Sequence, residues 1–156
     1  MLTSPASSAF AGRAVLLLSL AAGTCALADP CTAIPDKGPL PAYLAKGAAF
    51  SGPVTYVGDG DSLCIGLGVS PDRWVEVRLA DFYAPELNAA YGQSAKQALE
   101  KVVRGQRLNC VADHRSYDRV VAVCRVGAKS VGDLLRAAGA AEGGNGRPAK
   151  APPAAQ

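Results

Sequence analysis

Five strand-like runs and two amphipathic helices, in the order strand, strand, strand, helix, strand, strand, helix, predict a β-barrel with helices, an α+β domain of about ninety residues. Three observations carry that expectation. Apolar residues alternate with polar ones in three successive early segments, a helical apolar period follows and stops at a glycine, and a second helical period opens on a capping box.

The first strand is read from Val54 to Val57, the second from Leu63 through Ile65, Leu67 and Val69, and the third from Val75 through Val77 and Leu79. Each is bounded by glycine, proline or aspartate, so the three form a meander. Ala95, Ala98, Leu99, Val102 and Val103 then share one helix face, and Gly105 supplies the C-terminal stop. Two more strands are expected near 107–112 and 119–126. Ser130 and Asp133 stand at capping-box spacing before Val131, Leu134, Leu135 and Ala138, and Gly139 ends the second helix. This order suits a five-stranded barrel of the oligonucleotide-binding type (OB-fold), with a helix crossing between strands three and four.

Flanking segments divide the chain further. Residues 1–28 read as a signal peptide: Arg13, the apolar run AVLLLSLAA from Ala14 to Ala22, and a small-residue site at Ala26-Leu27-Ala28. The run is too short to cross a bilayer, so no stable membrane insertion is expected after cleavage. A lipoprotein signal ending at Cys25 is the second reading, disfavoured by Ala22 three places before it. Residues 29–49 are an extended Pro/Gly-rich arm fastened at most by Cys31, residues 50–142 form the folded domain, and the glycine-rich residues 143–156 are expected to be disordered. The domain is expected to be a monomer, exported to a periplasm or to the medium.

Removing the leader takes one of the 16 basic residues and none of the 13 acids, leaving a net charge of +2. That balance alone does not indicate nucleic acid. Its distribution is uneven, with acids outnumbering bases in residues 29–86 and bases outnumbering acids in residues 96–125. A fold that joins the two halves brings together groups for a metal and for a polyanion. Four cysteines remain, and an even number in an exported chain reads as two disulfides. Cys110 and Cys124 lie on strand-like runs joined by a short polar loop, which makes them the preferred pair and leaves Cys31 for Cys64. No Cys-x-x-Cys or paired-histidine spacing supports zinc.

Three short stretches carry polar residues at strand ends. Asp59-Gly60-Asp61-Ser62 lies between the first two strands and by itself reads as a tight hairpin turn. An EF-hand does not fit, because apolar alternation begins where further oxygen ligands belong. In VRLADFYAPE, residues 77–86, Arg78 shares a strand face with Glu76, and Pro85 stops the strand before Glu86. In SYDRVVAVC, Arg119 opens the last barrel strand after a turn. Each is an ordinary surface feature in isolation.

In order, VGDGDSL, VRLADFYAPE, YG before a helix, SYDRVVAV and VGDLLRAAG resemble the staphylococcal nuclease (thermonuclease) family over roughly residues 52–141. The resemblance implies an OB-fold of that type, here lacking a clear third helix, and metal-dependent hydrolysis of DNA or RNA that leaves 3′-phosphates. It also implies a calcium ion, or another divalent ion, held by Asp61 and the Ala84 backbone carbonyl. Glu86 would be the general base, with Arg78 and Arg119 on the scissile phosphate. Tyr117 matches a tyrosine two places before the second arginine, and with Tyr83 it is a candidate for touching substrate. Tyr83 stands where the family places its second metal carboxylate, and Asp81, two residues earlier, is the further candidate ligand. Guanidinium groups and a divalent cation would neutralise charge on a pentacoordinate phosphate, and a carboxylate would activate water. A catalytically weak or inactive module that binds nucleic acid, or another partner, is the alternative. A structural domain using the barrel as a partner surface is a third.

Overall fold

The computed structural model describes residues 29–144 and 147–151, together with residue 1. The expected signal peptide and the last five residues lie outside the described residues.

Strand β1 (Ala49–Val57) pairs antiparallel with β2 (Ser62–Gly66), and β2 with β3 (Trp74–Leu79). Helix α1 (Gly92–Val103) then crosses to β4 (Arg107–Ser116), which lies between β1 and β5 (Arg119–Val126). Parallel pairing of β3 with β5, Val77 opposite Val120, closes the cylinder. The result is a closed five-stranded barrel with two helices, as the element order predicts. A short β6 (Lys129–Ser130) folds back antiparallel on the end of β5, and α2 (Val131–Ala137) starts immediately after it, its first turn capped by Ser130 Oγ accepting from the Asp133 N–H at 3.0 Å.

Alternation places Leu63, Ile65, Val75, Val77, Leu79, Leu108 and Val120 inside the barrel, at or near zero exposure. Leu99 of α1 and Leu135 of α2 cap this core, along with Phe82 from the segment after β3. The sequence reading carries β2 on to Val69, but the strand stops at Gly66 and Val69 is fully exposed. A turn through Pro71 reverses the chain there, with Leu67 N–H donating to the Arg73 carbonyl at 2.9 Å. At the β4–β5 end the strands run further than alternation suggests, leaving only Tyr117 and Asp118 as the turn.

Both expected disulfides are present, Cys31–Cys64 and Cys110–Cys124. They fit an oxidising, non-cytoplasmic compartment. The arm is held by far more than Cys31. Ile34 and Leu44 enter the core, Thr32 and Ala33 donate to the carbonyls of Pro71 and Trp74, and Arg115 bonds the carbonyls of Pro35 and Gly38. Two apolar side chains among prolines are too sparse to show a period, yet they suffice to dock a segment.

The glycine-rich segment also departs from expectation. Glu142–Gly144 (β7) pairs with Arg147–Lys150 (β8), and Gly143 N–H donates to the Tyr83 carbonyl at 2.8 Å. Backbone hydrogen bonds and a Glu142–Arg136 ion pair at 2.9 Å fasten it, none of which a composition reading registers. Among the described residues no helix is long and apolar enough to cross a membrane.

Candidate functional site

While Val75, Val77 and Leu79 of β3 face the core, Glu76 and Arg78 must face outward. The parallel register continues this face onto β5, where Val121 lies opposite Arg78 and Arg119 opens the strand one step before the Val77–Val120 pair. The two arginines therefore share one outer face, separated by about two residues of strand advance, roughly 6.6 Å.

Asp61 reaches this face from the β1–β2 connection. Gly58 N–H donates to the Ser62 carbonyl, and Asp61 N–H to Asp59 Oδ1, both at 2.9 Å, so the segment is the tight turn its sequence suggests. Gly60 lets the turn sink inward: a β-carbon there would stand 2.5 Å from the Ala84 methyl and 2.7 Å from that of Ala95. The descent leaves Asp61 only 2% exposed. Asp61 Oδ2 accepts from Ala84 N–H at 2.8 Å and from Arg78 Nη2 at 3.2 Å. Burial nevertheless pushes the Asp61 pKa up to about 6, and the neighbouring Asp59 carboxylate adds to the rise, against the Ala84 N–H and Arg78.

Glu76 makes a second pair with Arg119, Oε1 to Nε at 3.9 Å. Burial, then the charge of Asp29, raises Glu76 to about 7 while Arg119 pulls it down. Arg119 Nε is buried and has no hydrogen-bond partner among the described residues. Neither Asp59 nor Glu76 stands out in the sequence as a site residue. The Asp-x-Asp spacing was a usable signal for the first, and the Glu-x-Arg spacing on one strand face for the second.

Beyond Leu79 the chain leaves the strand and alternation no longer governs it. Asp81, the further candidate ligand, packs its carboxylate against Gly132 at the start of α2, and its carbonyl accepts from Arg136 Nη2 at 2.6 Å. The Tyr83 ring stands beside Arg78, whose guanidinium carbon is 6.0 Å from the ring centroid. Ala84 turns its N–H to Asp61, while its carbonyl lies under Gly144: at φ +76°, a β-carbon on Gly144 would stand 2.1 Å from that oxygen. The same point is 3.9 Å from Glu86 Oε1, so the hairpin strand borders Glu86 too. Glu86 is exposed, its carbonyl accepting from Ala89 N–H at 2.8 Å. Tyr117 occupies the β4–β5 turn at φ +59° and is 82% exposed.

No family model and no curated protein matches the chain. Adjacent Asp59 and Asp61 carboxylates, the second with a raised pKa, are a donor set that a divalent cation would relieve of its mutual repulsion. The Ala84 carbonyl under Gly144 does not add to that set in this arrangement. Elsewhere, ligand atoms of Asp29, Cys31 and Cys64 lie within 4.8 Å of one another, but the disulfide leaves no thiolate to bind a metal.

Proposed function

We propose that the chain is an exported, divalent-metal-dependent nuclease of the staphylococcal nuclease type, hydrolysing phosphodiester bonds in DNA or RNA as a monomer. The observation that carries this reading is the shared outer face of β3 and β5, where Arg78 beside Asp61 and Arg119 beside Glu76 bring two guanidinium groups next to a carboxylate pair. A phosphate seated there would meet the planar donors of both arginines as negative charge develops on its oxygens. Asp61 and Asp59 would hold the cation, calcium by resemblance, and it would supply charge neutralisation and a more acidic bound water. Glu86, exposed at the rim, would take the proton from the attacking water.

Two features support a second reading, a module that binds nucleic acid without cutting it. Tyr83 supplies no carboxylate, and the Ala84 carbonyl is overlaid by Gly144. The experiment that separates the readings incubates the mature chain and its Glu86→Gln variant with single-stranded DNA and RNA in calcium, magnesium, manganese or chelator. Expected is cleavage by the unaltered chain that needs the metal and falls sharply in the variant. Cleavage indifferent to chelator and to Glu86→Gln overturns the mechanism, and salt-sensitive binding with no cleavage establishes the module instead.

A further inference from the structure

The β1–β4 ladder ends at Pro53 opposite Arg107, whereas β1 runs on to Val57. Helix α1 lies beside that continuation, and a groove of about 360 Å³ opens between the two. An irregular register between Val54 and Tyr56 breaks the in–out alternation, so Val54, Thr55, Tyr56 and Val57 are all half-buried and all line the groove. The Lys96 ammonium stands 5.7 Å from the Tyr56 ring centroid, and Arg104 lines the same groove. Glu100 is the acid facing these two cations among the lining residues.

The groove leads toward the candidate site. Val57 runs directly into the turn that carries Asp59 and Asp61, and Ala95, the residue before Lys96, packs with Ala84 against Gly60. An apolar floor with one accessible aromatic ring and flanking cations is the combination that holds single-stranded nucleic acid, bases stacking on the ring and phosphates on the cations. We propose that this groove is a second subsite for single-stranded DNA or RNA, taking a base against Tyr56 and phosphates on Lys96 and Arg104 while another part of the strand occupies the Arg78–Arg119 face. The proposal rests on the nucleic-acid reading above and extends it to a strand several nucleotides long.

Fluorescence anisotropy with a trinucleotide and with an oligothymidylate of about twelve nucleotides tests it. The protein is the mature chain carrying Glu86→Gln, so that the probes survive, compared with the same chain carrying Lys96→Gln and Arg104→Gln. The longer probe is expected to bind the first protein about tenfold more tightly than the trinucleotide, an advantage that shrinks to about threefold or less in the second. The slope of log affinity against log salt should fall by about 1.4, the share of two phosphates on a single strand, with trinucleotide affinity unchanged. A separate Tyr56→Phe and Tyr56→Ala pair checks stacking: phenylalanine keeps the length advantage and alanine reduces it. A length advantage that survives the lysine and arginine changes overturns the subsite while leaving the proposed function standing. Failure of both probes to bind overturns both. A polyglutamate that competes as well as the long oligonucleotide overturns the assignment of the groove to nucleic acid.

Discussion

Two carboxylate–guanidinium pairs sit on the outer face of β3, and they are built differently. At one end Asp61 is almost completely buried, bonded at once to the Ala84 backbone and to Arg78, with the Tyr83 ring alongside. At the other, Glu76 and Arg119 approach only to 3.9 Å, and Arg119 Nε is left without a hydrogen bond among the described residues. The first arginine is tied into the scaffold that positions the turn. The second is held near its place by a longer ion pair, its buried Nε unpartnered among the described residues. On the proposed function, two arginines on the same face would thus separate into one that both builds and acts and one that mainly acts.

Arg119→Ala should therefore give the largest functional loss for the least structural cost. Cleavage is expected to fall about 10²–10³-fold, as when a donor to a developing anion is removed. Its unfolding free energy from urea titration should stay within about 0.5 kcal/mol of the parent. Arg78→Ala should lose cleavage by a similar factor and also destabilise the fold by about 1–3 kcal/mol, because Asp61 then stays buried without its charged partner. The comparison is inverted if Arg119→Ala proves the less stable of the two in parallel urea melts.

Both ends carry carboxylates with raised pKa values, about 6 for Asp61 and about 7 for Glu76, and the sign of the resulting pH dependence follows. Folding favours the protonated forms, so between the ordinary carboxylate range and pH 7 the folded chain binds more protons than the unfolded one. Stability from these two groups is full below about pH 4 and is lost as the pH rises through 6 to 7. Thermal melts without metal should accordingly show a lower midpoint at pH 8 than at pH 5. Asp61→Asn should remove the part of the slope near 6, and Glu76→Gln the part near 7. Calcium is expected to raise the midpoint more at pH 8 than at pH 5, and an equal effect at both would remove Asp61 from the metal site.

These contrasts mark where the sequence is readable. Strand alternation in β3 predicts that Val77 points in and Arg78 out, because period two is enforced by the ladder itself. The Ser130 cap and the glycine stops are equally local, and both are present, as is the cysteine pairing, which follows from the even count and the β4–β5 hairpin. The direction of Asp81 is not legible for the same reason: it lies two residues past the end of β3, where no ladder fixes the side chain. The burial of Asp61 depends on Ala84 and Ala95, distant in sequence, and the hairpin over Ala84 is assembled from backbone groups of a glycine-rich stretch. Composition registers neither. Glu76 escapes notice because a glutamate on an outward strand face is ordinary until the closing β5 strand half-buries it beside Arg119.

The smallest expected effect concerns the turn that launches Arg119. Tyr117 holds a left-handed backbone that a residue with a β-carbon adopts at some cost, whereas glycine adopts it freely. Against that gain stands the greater entropy of glycine in the unfolded chain, so Tyr117→Gly should stabilise the fold by only about 0.5 kcal/mol. Its effect on catalysis divides two roles for the tyrosine. If the exposed ring touches substrate, KM rises several-fold with kcat nearly unchanged, the mark of an interaction made equally in ground and transition states. If the turn serves instead to aim Arg119, the looser glycine lowers kcat and leaves KM alone. A variant with both constants unaltered would show that the Glu76–Arg119 end is positioned by β3 and β5 themselves, and that the turn beyond them is free to vary.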